Sequence, residues 1–110
     1  MIHELRIYEI FDHNREAFHA RFRDHAARLM RDHGFQIVAM WEARGETGPE
    51  FVYLLAWPDE EARQSAWRHF MGDAEWKRIK QETAAESGDL VGAISTRVLT
   101  PTDYSPALGG

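Results

Sequence analysis

"HELRIYEI", residues 3–10, is the stretch on which the fold turns. With the two-residue period of a β-strand, Ile2, Glu4, Arg6, Tyr8 and Ile10 share one face, and His3, Leu5, Ile7, Glu9 and Phe11 the other. The aliphatic and aromatic content marks a strand beside a core, yet one face carries an acid, a base and a phenol in a row. Such a face is either wet or lines something that uses those groups.

Downstream of this strand, "DHNREAFHARFRDHAARLMRDHG" (12–34) changes to helical spacing, with Phe18, Phe22, His25, Ala26 and Leu29 on one stripe. Asn14 is the expected N-cap, and His33–Gly34 the other end, where glycine accepts a left-handed C-cap. "FQIVAMWEAR" (35–44) and "FVYLLAWP" (51–58), joined by "GETGPE", form a β-hairpin. Asp59 caps a second helix whose inner stripe is Ala62, Ala66, His69 and Phe70. Gly72 interrupts it, and Asp73 restarts a helix through "AEWKRIKQETAAES" with Trp76, Ile79 and Thr83 inward. "GAISTRVLT" (92–100) alternates again as the last strand, and the tail from Pro101 has no regular pattern.

The bulk numbers narrow the class. A chain of 110 residues, 44% apolar and 28% charged, has the composition of a globular domain with a real core. A net charge of −5, with bases and acids interspersed, argues against a nucleic-acid partner, which needs a basic surface. There is no cysteine, so disulfides, thiolate metal sites and a cysteine nucleophile are excluded. No apolar run approaches the length of a membrane span, and the start lacks a signal-peptide core, so the expected setting is cytoplasmic, without a membrane partner.

The β-α-β-β-α-β order is that of an α+β, ferredoxin-like domain over residues 1–110, with a core over 2–100 and a C-terminal arm over 101–110. Its helices cover one face of a four-stranded antiparallel sheet, with the first strand between the third and fourth. The face expected under the helices carries Leu5, Ile7, Val38, Met40, Val52, Leu54, Ala56, Ile94 and Val98. The open face then collects Glu4, Arg6, Tyr8, Trp41, Phe51, Tyr53, Leu55, Trp57, Ser95, Arg97 and Leu99. So aromatic a face is larger than the apolar patches a monomer exposes. The expected cover is the same face of a second copy, giving a homodimer built as a barrel-like sandwich.

Four segments, "MIHELRIYEI", "FHARFRDHAARLMRDHGF", "YLLAWPDEEARQSAWRHFMGDAEWKRIKQET" and "RVLTPTDYSP", resemble the NIPSNAP family over residues 2–106. The most specific marks are "ELRIY" at the start, "DAEW" after the second helix and "PTDYSP" near the end. The resemblance implies a dimeric α+β barrel. Related barrels include cofactor-independent monooxygenases acting on polycyclic aromatics, small isomerases and haem-using enzymes. No catalytic residues come with the family, so candidates rest on this chain's own residues.

Glu4, Tyr8 and His25 are the catalytic candidates; Arg6, Trp41, Tyr53, Trp57 and Arg97 are the substrate-binding ones. In the functional reading, Arg6 or Arg97 holds an anionic or carbonyl-bearing ligand while Glu4 or Tyr8 moves protons, and the aromatics wall the site. In the structural reading, the same groups form a satisfied polar network at a dimer interface. His25, on an apolar stripe, is either a core histidine bonded to a carbonyl or a general base. None of the six histidines pairs at i, i+3 or i, i+4 on a helix, so no metal site is expected, and no cofactor is assigned. Two functions follow: a barrel that binds a small aromatic or carbonyl-bearing molecule, acting as a cofactor-independent oxygenase or isomerase, or a non-catalytic dimeric scaffold. A ligand-sized pocket beside Arg6, Arg97 and Tyr53 separates them.

Overall fold

Three segments rich in β-branched and aromatic residues and one short C-terminal run build the sheet. In the computed structural model, which describes residues 1–108, they are β1 (Ile2–Glu9), β2 (Gln36–Arg44), β3 (Pro49–Trp57) and β4 (Ile94–Leu99). All pairings are antiparallel and the order is β2-β3-β1-β4. β1 therefore lies between β3 and β4, as the ferredoxin-like topology requires. The β2–β3 connection turns at Gly48, which takes a positive φ of 145° that other residues rarely adopt.

The first helical run is broken into α1 (Arg15–Arg21), a π-helical turn over Phe22–Ala26, and α2 (Ala27–Asp32). At the turn the Ala27 amide donates to the Phe22 carbonyl, five residues back. Asn14 does not cap this helix, contrary to expectation. It is buried, and its amide nitrogen donates to the carbonyls of Ser87 and Asp89 at 3.1 and 2.9 Å, tying the helix start to a distant loop. α3 (Glu60–Met71) and α4 (Ala74–Ser87) begin as the sequence implies. Asp59 accepts from the Ala62 amide at 2.8 Å, and Asp73 from the Trp76 amide at 2.9 Å.

β1 and β3 are turned over relative to the sequence expectation, whereas Ile94, Val98 and Met40 lie on the helix side, and Arg97 and Trp41 on the open side, as expected. Residues paired across antiparallel strands share a face, and β1 pairs Glu4 with Leu55, Arg6 with Tyr53 and Tyr8 with Phe51. This set lies under the helices: Glu4, Tyr8, Phe51, Tyr53, Leu55 and Trp57 are buried. Leu5, Ile7, Val52 and Leu54 lie on the uncovered face and are only partly buried. The cause is the helices' own payload. They present Phe18, Phe22, Phe70 and Trp76, with Phe35 beside them, to the sheet. Large strand aromatics fill the space against these rings and remove more apolar area from water than aliphatics do.

On β4, Ile94, Thr96 and Val98 pair with Tyr8, Arg6 and Glu4 and so lie on the helix side, whereas Arg97 pairs with Leu5 on the uncovered side. A bulge in β2 between Ile37 and Ala39 shifts the register by one residue. Beyond it Met40 and Glu42 share the helix side with Tyr53 and Phe51, and Trp41 shares the uncovered face with Val52. Trp41 is 50% exposed there.

Candidate functional site

The expected constellation of Glu4, Arg6, Tyr8 and Arg97 comes apart. Arg97 faces the opposite side of the sheet from the other three, because Thr96, one residue earlier, takes the position beside Arg6. Trp41 is likewise on the uncovered face, away from Tyr53 and Trp57. Glu4, Arg6, Tyr8, Tyr53 and Trp57 are brought together, but beneath the helices rather than against a second sheet.

Glu4 is fully buried and saturated. One carboxylate oxygen accepts from the indole nitrogens of Trp57 at 3.1 Å and Trp67 at 2.8 Å. The other accepts from Arg63 Nη1 at 3.2 Å and the Thr96 hydroxyl at 2.9 Å, with Arg6 Nη1 4.0 Å away. A carboxylate with four hydrogen-bond donors and two guanidinium groups holds its charge in place; it has no lone pair left over for a substrate proton.

Arg6 links this anchor to a cavity. Its guanidinium lies 4.3 Å from the Trp67 ring centroid, and Nη2 donates to the Tyr8 hydroxyl at 3.4 Å. Its Nε is buried with no hydrogen-bond partner. The Tyr8 and Tyr53 hydroxyls share a hydrogen bond of 2.6 Å. Burial works against the Arg6 charge, but the Tyr8 and Tyr53 oxygens outweigh it and raise the guanidinium pKa above the ordinary arginine value. Burial, reinforced by Tyr8 and opposed by Arg6, pushes the Tyr53 phenol well above the ordinary tyrosine value. The site thus pairs a permanent cation with a neutral phenol.

The cavity, of about 190 Å³, sits between β1 and the helices. Arg6 and Tyr8 form its floor, Phe18, Phe22, Trp67, Phe70 and Trp76 its aromatic walls, and Arg21 and Lys80 further cations. No aspartate, glutamate or histidine lines it. Arg21 and Phe22 flank the start of the π turn, a local under-winding that often accompanies functional sites. His25 lies within that turn, half-buried and with Nδ1 buried and unpartnered, but its side chain does not line the cavity. His69, expected on an inner stripe, is exposed.

The sequence reading missed Arg21, Arg63, Trp67, Lys80 and Thr96 as site residues, and placed Trp76 only as an inward residue of its helix. The signal was present for two of them. Arg21 follows Phe18 by three residues, and Lys80 follows Trp76 by four, so each shares a helix face with a buried aromatic.

The NIPSNAP family model matches residues 3–106 of the chain. A search of curated proteins finds no match. Among solved structures, an uncharacterised NIPSNAP-like domain protein from Burkholderia xenovorans superposes with a TM-score of 0.79 at 20% identity, covering 97% of this chain and 90% of that one. A protein from Agrobacterium tumefaciens gives a TM-score of 0.76 at 21% identity, covering 98% and 100%. An antibiotic biosynthesis monooxygenase shares the fold at a TM-score of 0.59 and 12% identity, covering 93% and 99%. These likenesses describe the fold.

Proposed function

The chain belongs to the NIPSNAP family, and from that premise we propose that it is a homodimeric barrel that binds a small aromatic or carbonyl-bearing molecule in the cavity beside Arg6. The observation that carries this reading is the cavity's makeup: aromatic walls, cations and no acid, over a charged floor. A ligand oxygen placed against Arg6 and Tyr8 gains a fixed positive charge where an enolate or phenolate develops. Among the described residues no carboxylate or imidazole lines the cavity to take a proton, so the ligand gives its acidic proton to water and reacts as the anion, and the Tyr8 hydroxyl, held by Tyr53 at 2.6 Å, donates to its oxygen. Isomerisation through an enolate and cofactor-independent oxygenation of an activated aromatic or keto compound both begin with that anion. In this reading Arg6, Tyr8 and Tyr53 act on the ligand, and Glu4 and Trp57 are positioning residues behind Arg6. His25 has no place in it. Trp41 and Arg97 belong to the uncovered face, where Leu5, Ile7, Val52, Leu54 and Leu99 offer an apolar surface suited to the same face of a second copy.

Thermal-shift screening against single-ring phenols and keto acids tests the reading, because a ligand at 100 times Kd adds about 2.7 kcal/mol. Met71 is exposed and lines the cavity, so Met71→Trp blocks it without touching the floor. Shifts in the wild type that vanish in Met71→Trp and Arg6→Leu are the expected result. The competing reading, a non-catalytic dimeric scaffold, draws on the complete satisfaction of Glu4. It predicts an intact dimer with no shift from any compound.

A further inference from the structure

Arg21 and Lys80 crowd one end of the cavity without an acid to meet them. Among the described residues neither makes an ion pair. The Arg21 guanidinium lies 5.4 Å and the Lys80 ammonium 5.7 Å from the same Trp76 ring centroid. Arg21 has only the neutral Thr83 hydroxyl, at 3.0 Å, as a hydrogen-bond acceptor. Burial, and for Lys80 also the charges of Arg21 and Lys77, pull the pKa values of both below their ordinary values. Two like charges over one indole are unfavourable unless an anion joins them.

The aromatic wall runs from that end to the other. Trp76 stacks on Phe70 at 5.2 Å and 27°, Phe70 meets Trp67 edge-on at 5.9 Å, and Trp67 lies beneath Arg6. The volume of about 190 Å³ is below the roughly 300–1,000 Å³ of common ligand pockets. It suits a small ligand of about one aromatic ring.

We infer that the cavity selects a single-ring aromatic carboxylate in one orientation, with its carboxylate on Lys80 and Arg21, its ring along the Trp76–Phe70–Trp67 wall, and its oxygen substituent at Arg6 and Tyr8. The inference rests on the reading that this cavity is the ligand site, and adds the class and direction of the ligand. Direction follows from solvation. Lys80 is the least buried of the three cations and Met71 is exposed, whereas Tyr8 is buried and the Arg6 side chain is 16% exposed. A carboxylate, costlier to dehydrate than a phenol or carbonyl oxygen, takes the wetter end with two cations. The neutral oxygen takes the dry end.

Calorimetric titration of the full chain with 4-hydroxybenzoate, 4-hydroxyphenylacetate and their neutral amides tests this. The acids should bind roughly tenfold to a hundredfold tighter than the amides. Lys80→Met should bring the acids to the level of the amides without moving the amides, and Arg6→Leu should weaken both. In the wild type, added salt should weaken the acids alone, a measurement independent of how the variant folds. Equal binding of acid and amide, or equal loss of both in Lys80→Met, overturns the inference and leaves the cavity as a ligand site. No binding by any of the four overturns the inference and the ligand-site reading together.

Discussion

The two faces of the one sheet are made by the same strands and are opposites in character. Under the helices, β1 and β3 present Glu4, Arg6, Tyr8, Tyr53 and Trp57; on the uncovered side they present Leu5, Ile7, Val52 and Leu54. A sheet with one solvated face ordinarily turns its polar residues outward. Here the polar face is the dry one, because the Glu4 carboxylate and the Tyr8 and Tyr53 hydroxyls find partners there, with Arg6 Nε the exception, and the rings between them bury more apolar surface than aliphatics would. The helices leave the aliphatic face bare, and among the described residues the tail over 100–108 approaches it at Leu54 and Leu99. Polarity counted along a strand therefore misleads when partners and size are left out.

Three substitutions break or sharpen that contrast. Glu4→Leu removes the acceptor shared by Trp57, Trp67, Arg63 and Thr96 and strands a buried guanidinium. A loss of about 3–5 kcal/mol is expected in denaturant unfolding; a change near zero would mean that the network adds nothing over apolar packing. Leu54→Asp, on the uncovered face, should leave the protomer folded and cost the proposed dimer about 2 kcal/mol or more, read as dissociation in sedimentation velocity. An unchanged sedimentation coefficient would rule this face out as the interface. Tyr53→Phe has the smallest effect, about 1 kcal/mol for one hydrogen bond. Because the folded Tyr53 pKa is raised, its contribution is complete below the ordinary tyrosine value near pH 10 and is lost as pH rises through the folded value. The variant should lack that alkaline loss.

The element order, strand pairing and helix starts were legible because local chemistry decides them. Asp59 and Asp73 announce their caps, and alternation marks each strand. Which face of β1 turns inward was not legible, since both faces mix polar and apolar residues and only the helices above decide between them. Arg97 does lie on the open face, as its alternation implies; it parts from Glu4, Arg6 and Tyr8 because β1 turns those three the other way, which leaves Thr96 beside Arg6. Trp41 was placed on the uncovered face, but its separation from Tyr53 depends on a bulge that no composition signal marks. Asn14 has the identity of a cap, yet a loop more than 70 residues away claims its side chain.

The π turn at Phe22–Ala26 sets the phase of everything before it. One residue of an α-helix turns the axis by roughly 100°, so deleting Arg23 to restore regular winding would swing Phe18 and Arg21 off the cavity while α2 stayed in place. The surplus residue thus works as an angular spacer. It lets one continuous rod aim its two halves independently, the first turning Phe18 and Arg21 to the cavity and the second turning Leu29 to the core.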